Sequence, residues 1–158
     1  MKLPKIGMRI WKTVLAVFLC LLSGLPRPDS LPFYSVIAAT LCMQPDLQRG
    51  WKTGLNRIIG TLIGGGCGLA MVILLQTLKP PDLMRILLLS LATAPVIYLT
   101  VLFKRTSATQ ISCVVFFSIT VAHLADASPY LFAFHRVLDT LTGILIALVV
   151  NLLPPRPQ

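Results

Sequence analysis

Apolar residues occur in six long runs separated by short polar segments. The runs predict membrane spans over Ile10–Leu25, Leu31–Met43, Ile58–Leu78, Ile86–Phe103, Ala108–Ala125 and Pro129–Leu153. A helix needs about 20 apolar residues to cross the hydrocarbon core, so the second run is short for an independent span. Asp29 or Ser30 can cap this helix, and Pro32 suits its first turn. The pattern predicts an all-α integral membrane protein with six transmembrane helices.

Composition strengthens this prediction. The 158 residues are 56% hydrophobic and only 12% charged, whereas about 25% of residues are charged in ordinary soluble domains. All four cysteines lie in apolar runs without metal-ligand spacing, so we expect neither a metal site nor a disulfide framework. We therefore expect one transmembrane module over residues 1–158, with no separate soluble domain and no cofactor.

The basic residues give the chain a net charge of +9 and lie between the apolar runs. With six spans, ten of them fall on the side of the termini and four on the opposite side, which favours cytoplasmic termini by the positive-inside rule. The same distribution favours a role in membrane orientation over nucleic-acid binding. The four basic residues at the N-terminus, together with the apolar run around and after the last of them, also resemble a signal peptide, but no A-x-A-like cleavage site follows. We expect a multi-pass protein of the cell (inner or plasma) membrane.

Two segments share a pattern that indicates an internal repeat. "RIIGTLIG" begins at Arg57 and "RVLDTLTG" begins at Arg136, 79 residues later in a chain of 158. Arg, Thr, Leu and Gly occupy matched positions in the two. If each half, about 1–79 and 80–158, contains three helices, the second half enters the membrane from the opposite side. Such inverted-topology repeats are typical of transporters with a site near the midplane.

Small and polar residues in these two segments recur every three or four positions, so they share one helix face. Glycines at such spacing let helices approach closely, and we expect a packing role for Gly60, Gly64, Gly68 and Gly143. Arg57 and Arg136 lie near the predicted starts of their spans and could reach the interface. Asp139 could form an ion pair with Arg136 or carry a functional charge. His123, Asp126 and His135 could form a proton-linked cluster or simply be solvated.

Three stretches resemble a known family. "GMRIWKTVLAVFLCLL", "MQPDLQRGWKTGLNRIIGTLIG" and "HRVLDTLTGILIALVVNLL" are similar to the membrane module of the aromatic acid exporter and fusaric acid resistance superfamily. The resemblance implies a six-helix module that exports organic anions such as aromatic carboxylates, with two modules around one path. It implies these substrate-path residues: Gln44, Asn56, Arg57, Thr61, Arg136, Asp139, Thr140 and Asn151. Many members continue into a cytosolic domain or a second module, whereas this chain stops at "PPRPQ", so we expect a homodimer.

The sequence therefore favours an exporter of organic anions, with membrane lipid, a small organic anion and a second copy of the chain as partners. A passive anion channel and a non-transporting membrane assembly or regulatory subunit are the alternatives. We do not expect an enzyme, because no nucleophile–base pair is evident and "GGGCG" lies inside an apolar helix rather than after a strand.

Overall fold

The computed structural model describes residues 7–25, 32–122 and 128–153, and this part of the chain is helical without any strand. The prediction of an all-α fold is therefore confirmed. The α-helices are α1 Met8–Ser23, α2 Phe33–Cys42, α3 Leu47–Leu78, α4 Asp82–Leu102, α5 Thr109–Phe117 and α6 Pro129–Leu152. A 3₁₀ turn, Thr106–Ala108, precedes α5, and a π-helix, Ser118–Ala122, continues it.

Three of these helices are long and apolar enough to cross a membrane. They are α3 with 32 residues, α4 with 21, and the 23 residues Tyr130–Leu152 of α6. Apolar but shorter helices are α2, with 10 residues, and the segment Thr106–Val121. Among the described residues the structure thus contains three clear membrane spans, and the short length predicted for the second run agrees with α2. The count of six spans stays a prediction.

Helix α3 begins eleven residues before the predicted span. Its first turns carry Gln48, Arg49 and Lys52, which interrupt the apolar run but are good helix formers. Arg57 consequently lies ten residues, or about 15 Å, after the helix start. Helix α6, in contrast, begins at Pro129 as predicted. The charged side chain of Arg57 is thus not at the entrance of its helix.

The described residues form two compact units. The terminal unit contains the chain up to Leu55 together with the residues from Leu138 onward, and the central unit is Asn56–Val137. The first turns of α3 and the last turns of α6 belong to the terminal unit with α1 and α2. The central unit holds the rest of α3 and α6 together with α4 and α5. Both units therefore combine segments that are distant in sequence.

Small side chains form the interior of the terminal unit. Ala16 and Cys20 of α1 are fully buried, and the Cys20 Sγ lies 3.7 Å from the Ser35 carbonyl oxygen of α2. On α6, Gly143 lies so close to α2 that a methyl group there would come within 2.8 Å of the Ala38 Cβ and would overlap the Ser35 carbonyl. Close backbone approach through small residues is the usual means of helix association in lipid.

Larger side chains form the interior of the central unit. One cluster joins Met71, Leu75, Leu89, Val96 and Phe116, and another joins Val72, Val115, Ile119 and Ala133. Most of α4 remains outside these clusters, because only Leu89, Val96 and Thr100 of that helix are buried. The exposed face of α4 is apolar and therefore suits lipid or another protein surface.

The adjacent residues Phe116 and Phe117 provide a test of this core. Phe116 is 1% exposed and Phe117 is 38% exposed. We expect Phe116→Ala to destabilise the protein by about 2 kcal/mol or more, because the cavity loses packing contacts even where the unfolded helices also lie in an apolar medium. Phe117→Ala should cost clearly less. Thermal unfolding in detergent measures both, and equal losses for the two variants would contradict the assigned core.

Candidate functional site

Four of the predicted substrate-path residues are buried in the central unit. Asn56 and Arg57 are each 9% exposed, Thr61 is 3% exposed and Arg136 is 6% exposed. Burial of a guanidinium group is costly unless protein groups surround and bind it. The structure therefore places these side chains in the protein interior and not along the lipid-facing surface.

Arg136 contacts an irregular segment of the helix that follows α5. Its Nη1 donates to the Ser118 Oγ at 3.3 Å, and Ser118 is the first residue of the π-helix Ser118–Ala122. A π-helix widens the backbone ring and leaves the regular hydrogen-bond ladder, and such segments are frequent at functional sites. Hydropathy did not indicate this irregularity, because the residues involved continue an ordinary apolar run.

The predicted glycine stripe of α3 lies against the segment from the 3₁₀ turn to the π-helix. A methyl group on Gly60 would come within 2.9 Å of the Ala108 carbonyl oxygen, and one on Gly64 would overlap the Ser112 carbonyl. On Gly68 it would lie 3.2 Å from the Ile119 Cβ. Gly65 and Gly66, by comparison, have no such neighbour within 4 Å. Close packing therefore accounts for three of the α3 glycines, as Gly143 shows for α6 in the terminal unit.

Asp139 and Thr140 lie in the terminal unit, where they are 6% and 4% exposed. They lie about one turn of α6 before the tightly packed Gly143. Burial removes the carboxylate of Asp139 from solvent, and this is consistent with either a structural or a functional charge. The sequence also predicts a proton-linked cluster of His123, Asp126 and His135. His123 and Asp126 lie outside the described residues, so this cluster stays a prediction.

Gln44 and Asn151, the remaining predicted path residues, come together at one end of the terminal unit. The Asn151 Nδ2 donates to the Gln44 carbonyl oxygen at 3.1 Å, which ties the end of α6 to the loop between α2 and α3. The Lys12 Nζ of α1 donates to the carbonyl oxygens of Asn151 and Leu153 at 3.3 and 2.7 Å. Arg9 donates through Nη2 to the Met43 carbonyl oxygen at 3.3 Å. Four polar residues that make these contacts define what we term the end network: Arg9, Lys12, Gln44 and Asn151.

The sequence did not reveal that Arg9 and Lys12 belong to this network. For both residues the sequence indicates only a role in orienting the protein in the membrane, since nothing in the first helix indicates that it meets the last one. Cations near the carbonyl end of a helix interact favourably with its dipole. Lys12 and Arg9 therefore stabilise the C-terminal ends of α6 and α2, respectively.

Long apolar helices that bury guanidinium, amide and hydroxyl groups between them define a helical membrane protein with buried polar positions. The chain matches the family described as fusaric acid resistance protein-like over residues 13–150, and it belongs to that family. Members of this family are membrane transporters of the efflux and resistance type, not enzymes. Neither a curated protein nor a solved structure significantly matches the chain.

Proposed function

We propose that this protein is the subunit of a secondary transporter that exports organic anions, aromatic carboxylates among them, across the cell membrane. The buried arginines Arg57 and Arg136 of the central unit carry this proposal. Guanidinium groups form strong, paired hydrogen bonds with carboxylates. Basic groups inside membrane segments commonly mark the route of a charged substrate, because an anion cannot cross hydrocarbon without such partners.

The two units, each taken by itself, support an inverted repeat of three helices. The buried residues of α2 are Ser35, Ala38, Ala39 and Cys42. Their spacing recurs in Ser112, Val115, Phe116 and Ile119 of α5 and the π-helix, all of which are buried. In both units the serine that begins the set meets a glycine of the repeated motif, Gly143 on α6 and Gly64 on α3.

This shared register gives each half the same internal plan. In the terminal unit α6, the last helix of the second half, packs on α2, the middle helix of the first half. In the central unit α3, the last helix of the first half, packs on α5, the middle helix of the second half. An exchange of this kind supports a two-half transporter of six spans. With an even number of spans and the basic residues concentrated at one side, both termini lie in the cytoplasm.

The proposed working form is a homodimer. Helix α1 has only Ala16 and Cys20 buried, and α4 has only Leu89, Val96 and Thr100 buried. Large apolar side chains such as Trp11, Phe18 and Tyr98 are more than half exposed on these helices. The exposed apolar faces of these helices suit contact with lipid or with a second copy of the chain.

Efflux from proteoliposomes tests the proposed function. Purified protein is reconstituted into vesicles loaded with radiolabelled benzoate, and release is compared with that from protein-free vesicles. We expect saturable release in the presence of protein, since a carrier has a limited number of sites. Currents in planar bilayers should stay below detection, because carrier turnover is far slower than channel conduction.

Two outcomes would overturn the proposal in different ways. Large voltage-driven benzoate currents would identify a passive channel. Benzoate release equal to that of protein-free vesicles, together with co-purification of a different membrane protein, would identify an assembly or regulatory subunit.

A further inference from the structure

A cavity of about 410 Å³ lies beside the end network, within the terminal unit. Its lining combines Arg9, Lys12, Gln44 and Asn151 with five apolar residues, and within the described part of the chain no acidic residue contributes to it. Clefts that bind small molecules in proteins have volumes of roughly 300 to 1,000 Å³ and a few convergent polar groups. The cavity is therefore large enough for a small organic molecule, and its charge favours an anion.

The two cations retain donors after making their structural contacts. An ammonium group has three N–H donors and a guanidinium group has five. Among the described residues, Lys12 uses Nζ for two carbonyl oxygens and Arg9 makes one hydrogen bond to Met43. An oxyanion can therefore bind both side chains without breaking the contacts that join α1 to α2 and α6.

Arg9 also lines a second, shallow cavity of about 380 Å³ that is largely open to the surroundings, and its other lining residues are Ile10, Thr13 and Val14 of the same helix. Ile10 and Val14 are 54% and 52% exposed, so this cavity has an apolar wall. The Arg9 guanidinium thus borders a cavity in which cationic and amide groups converge among apolar residues, and also a shallow, open surface beside Ile10 and Val14. This combination suits an anion with an apolar body attached to it.

We infer that the end network is a binding site for an amphiphilic oxyanion, whose carboxylate or phosphate oxygens contact Arg9 and Lys12 while its apolar part lies against Ile10 and Val14. Two sources supply this chemistry, namely an aromatic carboxylate from the aqueous phase and the headgroup of an anionic phospholipid. The site goes beyond the proposed transport, because binding here does not require that the anion be carried across the membrane.

Binding to the full-length protein in nanodiscs tests this site. The probes are radiolabelled benzoate, with nanodiscs of phosphatidylcholine alone, and phosphatidylglycerol, detected as retained lipid by native mass spectrometry. We expect Arg9→Gln and Lys12→Gln each to weaken retention of one of these probes about tenfold, since each removes a charge-assisted contact. Arg9→Lys and Lys12→Arg should retain most of the binding.

A matched control separates the site from surface charge in general. Lys52 is an exposed basic residue of the terminal unit that does not line either cavity. Lys52→Gln should leave the binding of both probes unchanged. Binding is expressed per folded protein, so that a purely structural role of Arg9 and Lys12 would lower the yield or the melting temperature without lowering the affinity.

The results identify the occupant or reject the site. If Arg9→Gln and Lys12→Gln lose benzoate binding in phosphatidylcholine nanodiscs, the site binds an aqueous carboxylate. If instead these variants lose retained phosphatidylglycerol, the site binds a lipid headgroup. Unchanged binding of both probes in Arg9→Gln and Lys12→Gln overturns the inference. If wild-type vesicles show no efflux while these variants still lose binding, the transport proposal fails and the site remains. If efflux is present and binding does not depend on Arg9 or Lys12, the transport proposal stands and the binding site is rejected.

Discussion

Replacing Arg136 or Arg57 by glutamine is expected to reduce benzoate efflux about tenfold or more. Both guanidinium groups are less than 10% exposed, so they act in an environment where water competes poorly for an anion. Glutamine keeps hydrogen-bonding capacity but removes the charge and the paired N–H donors. A charge-assisted contact contributes roughly 1.5 to 3 kcal/mol, which corresponds to a factor of about ten to a hundred in binding.

Three further variants separate the charge of Arg136 from its structural contact. Ser118→Ala removes the hydroxyl that accepts from Arg136 but keeps the guanidinium, so we expect it to retain most of the efflux. Arg136→Lys keeps the charge without the paired donors and should be intermediate. Arg49 pairs with Asp46 at 3.2 Å and its side chain is 72% exposed, so Arg49→Gln should behave like the wild type.

Efflux must be normalised to folded protein, because a buried charge also contributes to stability. Variants of Arg57 and Arg136 with wild-type melting temperature and wild-type efflux would remove these residues from the transport route. The family membership would stand, and the route would have to be sought elsewhere in the chain.

Replacing Gly64 by alanine is expected to destabilise the protein by about 1 to 3 kcal/mol, the usual cost of overpacking. The added methyl group would overlap the carbonyl of Ser112, which is backbone and cannot rotate away. Gly66, two residues further along α3, has open space at the same position. Gly66→Ala should therefore be neutral or stabilise the helix by up to about 1 kcal/mol, since alanine has the higher helix propensity.

The same comparison applies to the terminal unit. A methyl group on Gly143 would overlap the Ser35 carbonyl, so Gly143→Ala should resemble Gly64→Ala in cost. Melting temperatures in a mild detergent, together with the monodisperse fraction in size-exclusion chromatography, measure these effects. Equal stabilities of Gly64→Ala and Gly66→Ala would show that the α3 glycines do not pack as described.

Hydropathy located the helices well because burial in lipid imposes a simple requirement on length and polarity. All six predicted runs contain a helix, and the ends of α4 and α6 lie within a few residues of the prediction. Hydropathy did not locate the start of α3, because the first turns of this helix precede the apolar run and carry polar residues. Gly50 and Gly54 were missed for the same reason, although each lies against neighbouring backbone or side chains in the terminal unit.

The candidate site was less accessible to sequence reasoning. Helical spacing predicts that Arg57, Thr61 and the glycines Gly60, Gly64 and Gly68 share one face of α3. In the structure this face is buried. Spacing along one helix cannot show which other helix covers the face. For this reason neither the π-helix contact of Arg136 nor the meeting of Lys12 with the end of α6 could be predicted, since each joins segments through three-dimensional packing alone.

The division of α6 between the two units has a consequence for how the protein is made. Ribosomes deliver α1 and α2 to the membrane first, and domains generally fold in the order of their synthesis. Here, however, Pro129–Val137 belongs to the central unit and Leu138–Leu152 to the terminal unit. Neither unit is complete before the final helix has been inserted, so the small-residue face of α2 around Ser35 has no partner on α6 until residues 138–152 have been translated.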